Sequence, residues 1–380
     1  MYELARDLYP ICRSITGDGV RETLDKVAAQ LPIEVSEVPT GTPVFDWNVP
    51  KEWNIREAWI KDPQGHKIVD FSDHNLHVVN YSVPVHANLS LGELKSRLHS
   101  LPDRPEWIPY RTSYYDETWG FCLPHRQLEA LEEGTYEVYI DSELRDGSLT
   151  YAECVIPGAT DDEVLLSAHT CHPSLANDNL SGIALLVRLG RALADIDTRY
   201  TYRLIFAPGT IGSITWLAKN QEKASRIKHG LAISCVGDAG GQMYKRSRRG
   251  DAAIDRAVSR VFAESAPSGD IQDFSPYGYD ERQYCSPGFN LPVGLFERSK
   301  YGEFPEYHTS ADNLDFISAE ELDKSYALVA RVVGILETDW YPVNTAPFCE
   351  PQLGRRGLYN AMGGDSERVE RQMAMLWILN

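Results

Sequence analysis

Two histidines and an aspartate lie within ten residues of one another between Ser167 and Gly182. His169, His172 and Asp178 carry the imidazole and carboxylate groups that a catalytic zinc ion takes as ligands. An apolar run precedes this stretch and another follows it, which predicts a buried strand, a polar loop and a helix. Open α/β sheets bind ligands beyond the carboxyl ends of their strands. The stretch therefore predicts metal-assisted hydrolysis.

These residues also have purely structural interpretations. A histidine in a tight loop can be held by hydrogen bonds alone, and Asp178 comes just before a predicted helix, where it could be an N-cap. Two further candidates, Asp238 and His308, lie in later loops. Each candidate is weak by itself, but their shared placement in loops that flank predicted strands and helices favours one metal site.

Composition and charge limit the classes of function. The chain has 380 residues, of which 43% are hydrophobic and 24% charged, an ordinary globular composition. The net charge of −18 argues against nucleic-acid partners and against attraction to an anionic membrane surface. Seven scattered cysteines predict free thiols in a reducing compartment. With no signal-peptide segment and no long apolar run, we expect a cytoplasmic protein without a membrane span.

The elements that must position these side chains alternate along the chain. This alternation predicts an α/β fold with a mixed, mostly parallel sheet and helices on both faces. Residues 1–30 are expected to be helical with a break near Gly17. The predicted strands are 135–141, 148–156, 163–168, 201–207, 230–236 and 291–296, and the predicted helices are 180–195, 213–222, 251–264 and 319–337.

A stretch rich in Trp, Tyr, Pro and His interrupts this pattern at residues 40–124. It is predicted to be an inserted, mainly-β domain with strands at 56–61 and 75–81 and a helix at 89–98 capped by Ser90 and Glu93. The α/β domain is then discontinuous, over 1–39 and 125–345. Residues 346–380 are expected to be a tail that begins a helical module, with a helix at 366–379 whose apolar end suggests either truncation at Asn380 or a disordered remainder.

The chain resembles the zinc aminopeptidase superfamily with a phosphorylase/hydrolase-like sheet, and within it a bacterial subgroup with an inserted domain. The resemblance rests on the segments 169–182, 208–213 and 307–312. It implies that His169 is the first zinc ligand, Asp178 a carboxylate that bridges two metals, Asp238 the acidic ligand and His308 the last histidine, with His172 as the alternative to His169. It also implies a C-terminal module similar to a winged helix.

One departure from the superfamily concerns the general base. Typical members have a Glu-Glu pair after the strand that is 203–206 here, where the first glutamate is the base and the second binds the other zinc. This chain has Gly209 and Thr210 near that point. A general base contributes about 10²–10⁴-fold to the rate, so we expect one tightly held zinc or a weak second site. The candidates to replace the base are Glu281, Glu297, Glu303 and Glu306, each of which could equally be a surface carboxylate.

The remaining candidates concern the surroundings of the site. The pair Asp280 and Glu281 loosely resembles the superfamily's acid near the substrate amine, and Asp312 is expected either to orient His308 or to begin a helix. Tyr307, Arg111 and Tyr114 are predicted to contact substrate, since aromatic side chains line ligand sites, although packing of the inserted domain explains Arg111 and Tyr114 equally well.

Together these features predict a zinc-dependent, aminopeptidase-like hydrolase of a small peptide or an aminoacyl amide, with one or two zinc ions. The alternatives are a non-catalytic binding or regulatory protein on the same fold, and an acyl transfer or cyclisation that uses one zinc. A homo-oligomer is compatible with the sequence.

Overall fold

The structure is a computed structural model that describes residues 1–340, 343–349, 351–358 and 368–379. Two compact units are present, Met1–Glu337 and Thr338–Asn380. The helices are α1 Tyr2–Leu8, α2 Asp18–Ala28, α3 Leu91–Lys95, α4 His125–Glu129, α5 Gly182–Ala194, α6 Ile211–Lys219, α7 Gln221–Ala224, α8 Ala253–Ser265, α9 Glu281–Tyr284, α10 Ala319–Thr338 and α11 Arg368–Leu379.

The strands form one large sheet and three smaller ones. Their bounds are β1 Glu34–Pro39, β2 Pro43–Val44, β3 Trp47–Asn48, β4 Glu52–Lys61, β5 Lys67–Asp70, β6 Val85–Ser90, β7 Leu98–His99, β8 Phe121–Cys122, β9 Thr135–Arg145, β10 Ser148–Ile156, β11 Glu163–His169, β12 Thr201–Ala207, β13 Ile227–Ile233, β14 Met243–Lys245, β15 Asp270–Gln272 and β16 Val293–Glu297.

The large sheet has eight strands in the order β1-β10-β12-β11-β13-β16-β14-β15. Its centre is parallel: β11 pairs in parallel with β12 and β13, and β13 with β16. Antiparallel pairs join β1 to β10, β10 to β12, and β14 to β16. Because these four central strands run the same way, β12, β11, β13 and β16 bring their carboxyl ends to one edge of the sheet.

Helices cover both faces of this sheet. Side chains alternate along β12, so Leu204 and Phe206 pack with α1, α2, α5, α8 and α10, while Ile205 and Ala207 pack with α6 on the other face. The predicted fold class, a mixed and mostly parallel sheet with helices on both faces, is confirmed.

Most predicted elements are present, with shifted ends. The strands 148–156 and 201–207 have the predicted bounds, and Ser90 and Glu93 form the predicted capping box at the start of a shorter helix, α3. The strand predicted at 75–81 is wrong. Residues 75–77 form a short 3-10 turn, because the ring Nδ1 of His74 accepts the backbone N–H of Leu76 and bends the chain there.

The second sheet has the order β5-β4-β9-β6 and packs on its own apolar cluster. Three of its strands come from the stretch predicted as an insertion, whereas β9 lies after residue 124. The sheet therefore includes residues on both sides of that predicted boundary, and the domain limits stay a prediction.

All seven cysteines are free thiols. Within the part of the chain that the structure describes, no helix combines the length and the apolar character needed to cross a membrane. In the second unit the structure shows α11 and a short 3-10 turn at Gly354–Arg356.

Candidate metal centre

The carboxylate of Asp178 lies between two imidazoles at the carboxyl edge of the large sheet. The Nε2 atom of His169, the last residue of β11, is 2.7 Å from Asp178 Oδ1. The Nε2 atom of His308 is 2.9 Å from the other oxygen, Oδ2. His172 lies beside them, with Nδ1 3.8 Å from Asp178 Oδ1. The structure thus brings together four of the five residues predicted as ligands.

Asp178 is held in position by Asp312. The loop between β11 and α5 makes an irregular helical turn at Ala176–Ser181, in which Asp178 is not helical (φ −109°, ψ 82°). Asp312 Oδ1 accepts the backbone N–H of Asn177 at 2.6 Å, and Oδ2 accepts that of Asp178 at 3.0 Å. Asp312 therefore supports the loop of Asp178, a different contact from the predicted one with the ring of His308.

Burial and charge set the protonation states at the centre. Burial lowers the pKa of His172 to about 3, so this imidazole is neutral near pH 7. Burial opposes ionisation of Asp178, but its oxygens make hydrogen bonds with the imidazoles of His169 and His308, and the pKa of that carboxyl lies well below its usual range. Zinc binds neutral imidazole and ionised carboxylate. The ligand atoms of His169, His172 and Asp178 lie within 4.8 Å of one another, so the donor set fits a zinc ion.

Asp238, the predicted acidic ligand, is engaged elsewhere. Its Oδ1 accepts hydrogen bonds from the backbone N–H of Gly240 and the hydroxyl of Ser299, both at 2.6 Å. Its Oδ2 accepts the side-chain N–H of Asn177 at 2.8 Å. The structure does not bring Asp238 into the cluster, and its assignment as a ligand stays a prediction.

The side chain of Tyr279 fills the space that a side chain at position 209 would need. A Cβ atom on Gly209 would lie 2.1 Å from the Tyr279 ring and 2.6 Å from its hydroxyl. The same ring packs 4.1 Å from that of His169, and its hydroxyl is 3.2 Å from the Cys171 sulfur. Burial raises the pKa of Tyr279 well above its usual value, so the phenol stays neutral.

Sequence reasoning missed Tyr279, although it directly precedes the singled-out pair Asp280 and Glu281. Cys171 lies where the superfamily usually has an orienting aspartate. Burial raises the pKa of its thiol to about 12, which suits a small buried residue better than a soft metal ligand.

Three buried carboxyl groups surround the centre. Burial raises the pKa of Asp280 to about 6, and the hydroxyl of Ser213 donates to Asp280 Oδ1 at 2.8 Å. Glu281, the predicted catalytic acid, is ion-paired with Lys245 and accepts the backbone N–H of Tyr279 at 3.0 Å.

Glu297, at the end of β16, is fully buried, and neither carboxyl oxygen has a hydrogen-bond partner among the described residues. Burial and the charges of Glu281 and Asp178 raise its pKa well above the usual value. The remaining candidates lie on the outside: Glu303 is exposed and ion-paired with Lys300, and Glu306 is half-buried.

A cavity of about 1280 Å³ opens onto the centre. Its wall includes all three predicted substrate contacts, Tyr307, Arg111 and Tyr114, together with His172, His308, Gly209 and Tyr279. The ring of Tyr307 stacks on that of His308 at 3.9 Å and 12°.

The inserted stretch is attached directly to the loop that carries His308. The backbone N–H of Tyr110 donates to the carbonyl of His308 at 2.8 Å, and Ile108 and Ser310 exchange two hydrogen bonds. His308 has a left-handed backbone (φ 56°), which is uncommon for a residue other than glycine. The ring of Tyr110, which sequence reasoning also missed, contacts those of His172 and His308.

Comparisons with known proteins place these features in context. A family model described as Domain of unknown function (DUF4910) matches residues 2–339, and one described as a winged helix-turn-helix matches residues 340–380. A relative from Clostridium acetobutylicum, named "Putative polysaccharide biosynthesis protein with aminopeptidase-like domain", is 50% identical over 100% of this chain and 87% of its own length.

Solved structures are similar over most of the chain. One from Clostridium acetobutylicum has 50% identity and a TM-score of 0.90, covering 100% of this chain and 86% of that one. The zinc aminopeptidase BSAP from Bacillus subtilis has 14% identity and a TM-score of 0.64, covering 87% of this chain and 93% of that one. At that identity the second likeness concerns the fold alone.

Proposed function

This chain belongs to the family described as Domain of unknown function (DUF4910), and from its metal centre we propose that it is a zinc-dependent hydrolase of amide bonds. The predicted resemblance to zinc aminopeptidases and the predicted winged-helix module are confirmed at the level of fold and family. The observation that carries the proposal is the Asp178 carboxylate between the imidazoles of His169 and His308.

His169, His172 and Asp178, whose ligand atoms lie within 4.8 Å of one another, would hold the zinc ion, with His308 on the other oxygen of Asp178 as a further ligand. When bound, the ion would supply a Lewis acid that polarises a carbonyl group and makes water a stronger acid near neutral pH. Gly209 and Thr210 offer no carboxylate for a second ion, so we propose a single zinc. Asp238 could join only by giving up hydrogen bonds from Gly240, Ser299 or Asn177.

The chain's own residues would position and bind the substrate. Asp312 fixes the loop of Asp178, and Tyr307 fixes the ring of His308 by stacking on it. Tyr279 is a neutral donor on the cavity wall and can donate a hydrogen bond to an oxygen that gains negative charge. Glu281 holds Tyr279 by accepting its backbone N–H, so we propose that Glu281 acts on the reaction through Tyr279.

One observation favours a second candidate function. The wall at Gly209, where the superfamily has its base, carries Tyr279 instead of a carboxylate. A protein that binds its ligand without cleaving it, or a transfer or cyclisation reaction that uses one zinc, would keep the centre and dispense with that base. The substrate screen should include amides on sugar units as well as small peptides, because the Clostridium relative is named for polysaccharide biosynthesis.

The first experiment is elemental analysis of purified wild-type protein and of Asp178→Ala, His308→Ala and the control His86→Ala, an exposed histidine on β6. We expect about one zinc per chain in the wild type and the control, and loss of zinc in the other two variants. Absence of zinc after the ion is supplied would overturn the proposal. Zinc without release of amine from any aminoacyl amide would favour the binding protein.

Partners and location remain proposals as well. We propose a cytoplasmic protein whose substrate is a small amide. The absence of a nucleic-acid partner was predicted from the net charge of −18, and the winged helix-turn-helix match over residues 340–380 makes that prediction worth testing directly. A DNA-binding titration at low and high salt addresses it, and size-exclusion chromatography addresses a homo-oligomer.

A further inference from the structure

The mouth of the cavity carries positive charge that the metal centre does not explain. Arg104 and Arg111, both from the inserted stretch, line the cavity and are exposed. Among the described residues that line it, Asp103 is the one acidic side chain apart from the centre itself, and it is exposed too. The entrance of the cavity therefore carries two arginine side chains and one carboxylate, although the net charge of the protein is −18.

Arg111 is available to a ligand. Its guanidinium makes no hydrogen bond or ion pair with any residue that the structure describes, whereas Arg56 in the same stretch and Arg126 just after it are ion-paired. The neighbouring half-buried His99 does not compete for an anion, because burial and Arg111 lower its pKa and keep it neutral.

The backbone of Arg111 is fixed relative to the metal centre. Tyr110, the preceding residue, donates its N–H to the His308 carbonyl, and its ring lies 5.0 Å from the His308 ring and 5.2 Å from the His172 ring. On the other side, the carbonyl of Arg111 accepts the N–H of Asn80 at 2.8 Å. A ligand bound at the metal centre would therefore lie near Tyr110, and Arg111 is the next residue along the chain.

Arg104 provides a second cation that is only partly engaged. Its Nη1 donates to the carbonyl of Asp103 at 3.0 Å, and its guanidinium lies 5.5 Å from the Trp107 ring centre. Neither contact neutralises its charge. A cavity of this charge disfavours a substrate ammonium group and favours an anion, for which the planar guanidinium can donate two parallel hydrogen bonds.

We propose that the substrate is an amide that carries an anionic group, a carboxylate or a phosphate, and that Arg111 binds this group with assistance from Arg104. The inference rests on the proposed function for its reaction, but the anion site itself lies outside the metal centre. The cavity of about 1280 Å³ is larger than a dipeptide needs, which leaves room for such a group beside the amide.

The test compares matched probes by isothermal titration calorimetry on the full chain, with and without added zinc. N-Acetyl-L-glutamic acid α-amide carries a carboxylate, N-acetyl-O-phospho-L-serine amide a phosphate, and N-acetyl-L-glutamine amide is the neutral match of the first. We expect one anionic probe to bind about tenfold more tightly than the neutral one, and the preference to weaken at high salt. The tighter anionic probe identifies the group.

Variants assign the preference to a residue. Arg111→Gln should bind the anionic and neutral probes alike, Arg104→Gln should lose part of the preference, and the control Arg126→Gln should keep all of it. Unchanged zinc content in Arg111→Gln shows that the variant is folded. Anionic probes that bind no more tightly than the neutral probe, or a preference that survives Arg111→Gln, would overturn the inference. Absence of zinc would defeat the proposed function instead, since probe binding is also measured without metal.

Discussion

At the scale of single residues, the contact between Gly209 and Tyr279 determines which chemical group lines this wall of the cavity. Glycine at 209 leaves room for a phenol that no larger residue there would allow, since a Cβ would lie 2.1 Å from the ring. A buried phenol with a raised pKa donates hydrogen bonds and is a poor base. If the base implied by the resemblance to zinc aminopeptidases belongs on this wall, its exchange for Tyr279 replaces a proton acceptor by a donor.

This exchange predicts the behaviour of Tyr279→Phe. The ring still packs on His169, so zinc content should match the wild type, while loss of a donor to a charged oxygen typically lowers kcat about 10²-fold. KM should change little. Steady-state kinetics on a cleaved amide check this, with Tyr115→Phe, an exposed tyrosine, as the control. An unchanged kcat would show that Tyr279 only fills space.

Asp280 gives a prediction about pH. Burial raises the pKa of its carboxyl from 3.8 to about 6. Folding therefore favours the protonated form, so the stability that this group contributes is complete below its ordinary pKa and is lost as the pH rises through about 6. In metal-free protein, the free energy of unfolding of Asp280→Asn should vary less with pH across this range than that of the wild type. At higher pH it should exceed that of the wild type by up to about 3 kcal/mol.

Urea unfolding of metal-free protein at a series of pH values measures this difference. The exposed acid Asp46 supplies the matched control, since Asp46→Asn should leave the pH profile of the wild type unaltered. If the free energy of unfolding of Asp280→Asn changed with pH in parallel with that of the wild type, burial would not raise the pKa of Asp280.

At the scale of elements, a buried ion network joins three strands of the large sheet. Arg203 on β12 donates to both oxygens of Glu163 on β11 at 2.6 and 2.8 Å, and to Glu153 on β10 at 2.7 Å. All three side chains are buried. The guanidinium and Lys223, which is also paired with Glu153, together balance the charges of the two carboxylates.

Removing that guanidinium should be costly. Arg203→Ala leaves the buried Glu163 without an ion-pair partner among the described residues, while Glu153 keeps Lys223. Stranding one buried carboxylate in this way typically costs about 3–5 kcal/mol. The comparison is Arg56→Ala, which breaks an exposed ion pair with Asp141 and should cost at most about 1 kcal/mol. Denaturant unfolding curves measure both; equal losses for the two variants would contradict the argument.

The elements also show which features the sequence can reveal. The pattern places the ends of strands β10 and β12 correctly, and the predicted ligands at the end of β11 and in the loop after it lie within a few residues of one another. The role of Tyr279 could not be predicted in the same way, because it depends on a contact with Gly209. Gly209 lies seventy residues earlier in the chain, and the order of the strands in the sheet brings the two residues together. Local patterns report neighbours along the chain, whereas these contacts are made across the sheet.

Asp238 and Asp312 illustrate the same limit. Both were identified as acids near the centre, but their roles depend on which N–H groups the fold presents to them. Asp312 receives two from the loop of Asp178, and Asp238 receives its own from Gly240 and from Ser299, sixty-one residues away. Spacing in the sequence does not specify these donors.

At the scale of the whole molecule, the net charge of the protein is negative, whereas the charge at the mouth of the cavity is positive. A net charge of −18 repels anions at long range, while Arg104 and Arg111 attract them at the entrance. At low salt the repulsion acts over tens of ångströms, and near physiological salt it is screened beyond about 8 Å. If the anion site binds as proposed, an anionic probe should associate with the protein more slowly at low ionic strength. The affinity of the bound probe should still depend on Arg111.

The division into two compact units predicts how the chain responds to shortening. The first unit ends at Glu337, and the DUF4910 match ends at residue 339. Helix α10 contributes Leu322, Val329, Val332 and Leu336 to the core of that unit, and each of these precedes the boundary. All of the residues proposed to hold zinc precede it as well.

A chain of residues 1–339 should therefore keep the zinc content of the full chain and unfold at a similar temperature. A chain of residues 1–318 lacks α10 and serves as the contrasting variant, because the loss of several buried aliphatic side chains at about 2–5 kcal/mol each exceeds the stability of a typical domain. Elemental analysis and thermal unfolding of the two proteins measure these outcomes. Loss of zinc from residues 1–339 would mean that the second unit contributes to the metal centre.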